Sequence, residues 1–125
     1  MTHWDRLQKA ISFVNDHGID VDYRGTADSV REVTNSDLPY NGCAFVEVDQ
    51  IDLYANNPTR SASQLTAVLI HEFGHIMDYR MNCRGDREKE AWDIGVKLFP
   101  KWLVPSCLAG IRKKCLAEYA KDKVY

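Results

Sequence analysis

No apolar run approaches the roughly 20 residues that a membrane-spanning helix needs, so no segment reads as a transmembrane span. The opening residues, MTHWDRLQKA, mix charges early and hold no apolar signal core, which points to a cytoplasmic protein. No Cys-x-x-Cys pair occurs among the four cysteines, Cys43, Cys83, Cys107 and Cys115. Their spacings fit no zinc ribbon, and without a secretory signal free thiols are expected. There is no excess of basic residues. The formal net charge is -2, which argues against bulk nucleic-acid binding. Repeats, low-complexity stretches and linkers are also missing, so residues 1–125 are expected to form one domain around one core.

What charge there is lies unevenly. Acidic residues dominate from Asn15 to Ala55, and basic residues dominate from Lys101 to Tyr125. The basic C-terminal helix is the segment that a nucleic acid or an acidic partner would meet. Solvated faces account for the same pattern.

Local patterns sketch an α+β domain. Trp4, Leu7, Ala10, Ile11 and Val14 make the apolar stripe of a first helix, Trp4 to His17, with Gly18 at its C-terminal end. Ile19 to Tyr23 alternates apolar and Asp residues, as a strand with one wet face does. Ser29 to Val33 fits a short helix or a strand, and Asn35 to Asn41 fits a loop around Pro39. Cys43 to Val48 and Ile51 to Ala55 read as a hairpin turning at Asp49-Gln50, which gives a small antiparallel sheet. Two further helices follow the central one: Arg87 to Phe99, capped by Asp86 and stopped by Pro100, and a last helix after Pro105-Ser106.

The central stretch is QLTAVLIHEFGHIMDYR, Gln64 to Arg80. It has no Pro, and Ser61 or Ser63 can cap it. Its apolar stripe is wide, so the helix is expected to be buried on most sides. His71 and His75 stand one turn apart on one face and can direct two imidazoles at one ion. Glu72 lies one step round the helix, where it can hold a water beside that ion. Two nitrogen ligands and a general base are what a zinc hydrolase needs from such a helix. Without a metal, these residues would be satisfied histidines in a buried helix, yet a His-Glu pair in an apolar run is costly to bury unpartnered. Gly74, between the two histidines, suggests that another backbone passes close by.

A catalytic zinc site takes three protein ligands and leaves one position open. No third His follows at the metzincin spacing, so a carboxylate from the following helix is expected. Asp78, Asp86, Glu88, Glu90 and Asp93 are the candidates. Glu88 shares the face of Ala91, Ile94, Gly95, Leu98 and Phe99, whereas Glu90 and Asp93 fall outside it. Glu88 is therefore favoured, with Glu90 the alternative. Tyr54, Tyr79 and Arg80 are candidates to stabilise an oxyanion. The second hairpin strand is a candidate edge for an extended peptide, with Tyr40 to Ala44 as a rim.

The order of a hairpin, a helix with His71-Glu72-Phe73-Gly74-His75, a short loop and a helix opening Glu88-Lys89-Glu90-Ala91 resembles the gluzincin metallopeptidases. It looks most like their small ImmA/IrrE-type members, often carried by phages and mobile elements. The family often has Asn or Asp after that Ala; this chain has Trp92. The resemblance covers roughly Phe45 to Phe99. It implies a minimal zincin-like domain and one Zn2+ ion held by His71, His75 and Glu88. It further implies Glu72 as the catalytic acid/base and a protein or peptide substrate, in the host cytoplasm if a phage encodes the chain. The alternative is a catalytically inactive zincin-fold protein that binds a host or regulatory partner. A fourth protein ligand, such as Cys83 or Asp86, would mark that case.

Overall fold

The structure, a computed structural model, describes residues 1–23 and 40–122. Helix α1 (His3–Asn15) leads to strand β1 (Asp20–Tyr23). Strands β2 (Tyr40–Phe45) and β3 (Gln50–Ala55) follow, then helix α2 (Ala62–Asn82) and helix α3 (Glu88–Leu98). A 3-10 turn at Lys101–Leu103 and helix α4 (Leu108–Asp122) complete the order. The expectation for Ser29 to Val33, and the expected loop as far as Pro39, lie outside the described residues.

The α+β class holds, but the sheet is mixed rather than antiparallel. Its strand order is β1-β3-β2: β2 pairs antiparallel with β3, and β1 pairs parallel with it. A parallel neighbour needs a long crossover, and the chain between β1 and β3 provides one. β3 is thus the central strand and cannot offer an edge to a peptide, contrary to expectation. Among the described residues, β2 pairs on one side only.

The hairpin register also differs. β2 starts at Tyr40 and ends at Phe45, so Tyr40 and Asn41 belong to a strand and not to a loop. Tyr40, Gly42 and Ala44 stand opposite Ala55, Leu53 and Ile51 on the inner face. The turn after Phe45 closes without glycine because Asp49 takes the left-handed conformation (φ 53°), which Asp tolerates better than most side chains. Its carboxylate accepts from Arg80 at 3.0 Å. On the outer face Asp22 and Asp52 are neighbours across β1 and β3, and the Gln50 amide donates to both, at 3.1 and 2.9 Å. That shared donor makes the adjacent carboxylates tolerable.

Helix α1 forms as its stripe predicts. Leu7, Ala10 and Val14 are buried, and Thr2 and Asp5 close a capping box. Gly18 ends the following turn at φ +75°. Helix α2 is the spine of the core and is buried almost without interruption from Ala62 to Ile76. Ser61 takes its N-cap position, but its side chain makes no cap bond. Asp86 does not cap α3 either: it accepts from Arg84 at 3.3 Å, and Arg87 occupies the N-cap position.

Helix α3 meets α2 backbone to backbone. A Cβ on Gly74 would collide with the carbonyl of Ala91, and one on Gly95 would collide with the carbonyl of Ile70. The backbone that passes close to Gly74 is that of α3. The buried face of α3 holds Ala91, Trp92, Gly95 and the following Phe99, while Leu98 is exposed. Trp92 was not expected inward and Leu98 was; the helix is rotated so that the indole meets α2. No helix among the described residues is long and apolar enough to cross a membrane.

Candidate metal centre

The mid-section of α2 presents His71, Glu72 and His75, each at most 6% exposed. The chain cannot hydrate them there, so they need partners. The Nε2 atoms of His71 and His75 lie 3.1 Å apart. The first residue of α3 reaches over both: Glu88 places one carboxylate oxygen 2.8 Å from His71 Nε2 and the other 3.2 Å from His75 Nε2. Glu72 Oε1 stands 3.5 Å from His71 Nε2. Two ligand atoms about 2.0–2.1 Å from a tetrahedral zinc ion are about 3.3 Å apart. The separations among the two imidazoles and the Glu88 carboxylate, 2.8 to 3.2 Å, are hydrogen-bond distances a little under that spacing. His71, Glu72 and His75 are a group that could hold a metal ion.

Glu88 is held in place from behind. Asp78, fully buried on α2, accepts from Arg87 through both carboxylate oxygens and from Asn82 at 2.8 Å. The Arg87 guanidinium holds the Asp78 carboxyl below the usual carboxylate range despite its burial. Because Arg87 directly precedes Glu88, this pair and the Gly74–Ala91 contact together set where α3 begins.

The electrostatics separate the two glutamates. Burial pushes the Glu72 carboxyl up, against the pull of His71 and His75 and of the Ala44 backbone N–H. Burial also works to raise Glu88, but hydrogen bonds from His71 and His75 outweigh it and hold that carboxyl well below its ordinary value. His75 is raised in turn: desolvation works to lower it, but the Glu88 hydrogen bond and the negative charges of Glu72, Glu88 and Asp78 together outweigh that. The two carboxyls, side by side at the histidines, are thus shifted in opposite directions.

β2 roofs the site. A Cβ on Gly42 would lie 2.6 Å from Val68 Cγ1 and 3.0 Å from Glu72 Cγ, so only glycine lets the strand pass this close over Glu72. A cleft of about 200 Å³ opens beside it, lined by Gly42, Cys43, Ala44, Glu72, His75, Gly85 and Glu88. No family model, curated protein or solved structure matches this chain.

The other candidates lie elsewhere. Glu90 and Asp93 are exposed, and Asp93 pairs with Arg112 of α4 at 2.8 Å. Asp86 is engaged by Arg84, and Cys83 is exposed at the end of α2. Arg80 is engaged by Asp49. Tyr54 lies on the outer face of β3 beside Asp52, and Tyr79 does not line the cleft. Of the rim expected from Tyr40 to Ala44, Gly42, Cys43 and Ala44 line the cleft, but the close approach of Gly42 to Glu72, the Ala44 N–H and the Asp78–Arg87 pair are not read from the sequence. Only Gly42 carries a local signal, as a glycine inside a strand pattern.

Proposed function

We propose that this protein is a zinc-dependent metallopeptidase of the gluzincin type, which hydrolyses a peptide bond in a protein substrate. The observation that carries this reading is the convergence of His71 Nε2, His75 Nε2 and both Glu88 oxygens within 3.2 Å, with Glu72 beside them. His71, His75 and Glu88 would hold the ion. When bound, zinc supplies Lewis acidity, which acidifies water and polarises a carbonyl. Glu72 takes the proton of the attacking water on its carboxylate and later gives it to the leaving amine nitrogen. Its burial, and its bond from Ala44 N–H, keep that carboxylate oriented toward the cleft. β2 from Gly42 to Ala44 borders the cleft, where an extended peptide can lie alongside the strand.

An inactive, partner-binding zincin fold would close its metal site with a fourth protein ligand. Cys83 and Asp86, the residues available for that, are turned to solvent and to Arg84. The open cleft at Glu72 and Glu88 favours catalysis. The test is elemental analysis of the purified chain together with a peptide-cleavage screen, run on wild type and Glu72→Gln. Wild type should carry one zinc and cut; Glu72→Gln should carry the same zinc and lose about 10²–10⁴-fold in rate. Cleavage by the Glu72→Gln protein at the wild-type rate refutes the assignment.

A further inference from the structure

Trp92 is fully buried, and its indole lies flat on the imidazole of His71. The ring centroids are 4.4 Å apart and the planes 22° from parallel. His71 also meets the His75 ring, with centroids 4.5 Å apart and planes 73° from parallel. The His71 ring thus has the indole plate against one face and the His75 ring at an angle beside it.

The stack stands where a hydrogen bond is missing. A ligand imidazole is ordinarily oriented by its second nitrogen, which donates to a carboxylate, a carbonyl or water. Here the Nδ1 atoms of His71 and His75 are both buried, and neither has a hydrogen-bond partner among the described residues. The indole Nε1 has none either, so Trp92 acts through its face and not through its N–H. Turning the His71 ring about its Cβ–Cγ bond would drive its edge into the indole. An indole face also carries a negative quadrupole, which favours a stacked ring that bears positive charge. An imidazole that has given its Nε2 lone pair to a cation is such a ring.

We infer that Trp92 is a positioning residue for His71, which holds the imidazole on line with Glu88 and His75 by stacking in place of a hydrogen bond. The inference rests on the metal reading of the cluster and extends it to a residue outside the ligand set. It orders three substitutions. Trp92→Phe keeps an aromatic plate, Trp92→Leu keeps apolar bulk without one, and Trp92→Ala leaves a void.

The test is zinc affinity, measured by competition with a chromophoric chelator, alongside thermal unfolding of each metal-free variant. Trp92→Phe should bind within a few-fold of wild type. Trp92→Leu should bind about 10–100-fold more weakly, the range found when an outer partner of a ligand is lost. A spectroscopic readout separates positioning from general packing. In the metal-free protein the His71 ring protons should be shifted upfield by the indole, and Trp92→Leu should abolish that shift while the rest of the spectrum stays dispersed. In a Trp4→Phe, Trp102→Phe background, Trp92 emission should change on zinc addition with the same midpoint as the competition curve. Trp92→Leu that is folded and binds zinc as tightly as wild type overturns the inference and leaves the metal centre standing. A folded wild-type chain that binds no zinc overturns the metal centre, and the inference with it.

Discussion

Gly74 and Ala91 are in backbone contact, and that contact is why a residue of α3 can reach the two histidines of α2. A methyl group on Gly74 would occupy the space of the Ala91 carbonyl. Helix axes ordinarily keep 8–10 Å apart, and only a glycine at the crossing allows the near limit. Gly95 repeats the device one turn further along, against the carbonyl of Ile70. Gly74→Ala should therefore push α3 away from α2. Overpacking of this kind costs about 1–3 kcal/mol, and here the obstacle is backbone, which cannot turn aside. We expect a loss of about 3 kcal/mol in denaturant unfolding, together with weakened zinc binding as Glu88 retreats. A Gly74→Ala protein of wild-type stability would show that the helices are not in contact.

Glu88 and Glu90 open the same helix but face different ways. Glu88 bonds both imidazoles, while Glu90 is exposed. Glu88→Ala should lower zinc affinity by at least about 100-fold, because losing an outer partner of a ligand already costs 10–100-fold. Glu90→Ala should leave it unchanged. Chelator competition on both variants reads the difference, and equal affinities would remove Glu88 from the ligand set.

The Asp78–Arg87 pair predicts a pH signature. Arg87 lowers the folded-state pKa of Asp78 below its unfolded value near 3.8. A depressed carboxylate contributes stability above the unfolded pKa and loses it as pH falls through the folded pKa. Asp78→Asn removes the charge at every pH and leaves the Arg87 guanidinium without its anion. The variant should be less stable than wild type by a constant margin above about pH 5, and the margin should narrow as pH falls below about 4. Urea midpoints at several pH values measure it. A margin that does not narrow in acid would mean that Asp78 is not held ionised by Arg87.

Some of this architecture is legible in the sequence, for a physical reason. His71 and His75 need only the 3.6-residue repeat of one helix to converge, so their spacing alone carries the geometry. Glu88 is nearly as legible, since a carboxylate in phase with Ala91 and Gly95 must face the neighbouring helix. Trp92 is not. It lies at the margin of that apolar arc, and only the rotation of α3 against α2 decides whether it or Leu98 turns inward. The parallel pairing of β1 is equally hidden, because alternation in Asp20–Tyr23 reports a wet face but not the direction of a partner far along the chain. The start of β2 is masked by Pro39, which reads as a breaker although the strand begins at the next residue.

On the proposed function, Gly42 gives the sharpest separation of catalysis from metal binding. Its missing side chain is what lets β2 lie against Val68 and Glu72, and the next residue but one, Ala44, gives Glu72 its backbone hydrogen bond. None of His71, His75 or Glu88 is among the atoms nearest to a Cβ built at Gly42. Gly42→Ala should therefore displace the Glu72 carboxylate, or lift the strand and break its bond from Ala44, while the ligand set stays in place. Zinc affinity should stay within a few-fold of wild type. The cleavage rate should fall by at least about 10-fold, since proton transfer by a positioned base contributes about 10²–10⁴-fold and a misplaced base keeps only part of it. The two readouts must come from one preparation, with unfolding measured beside them. Equal losses of zinc and rate would mean that β2 supports the whole cluster. Unchanged rate and affinity would mean that the strand has room to spare over Glu72, and that the roof of the site lies elsewhere.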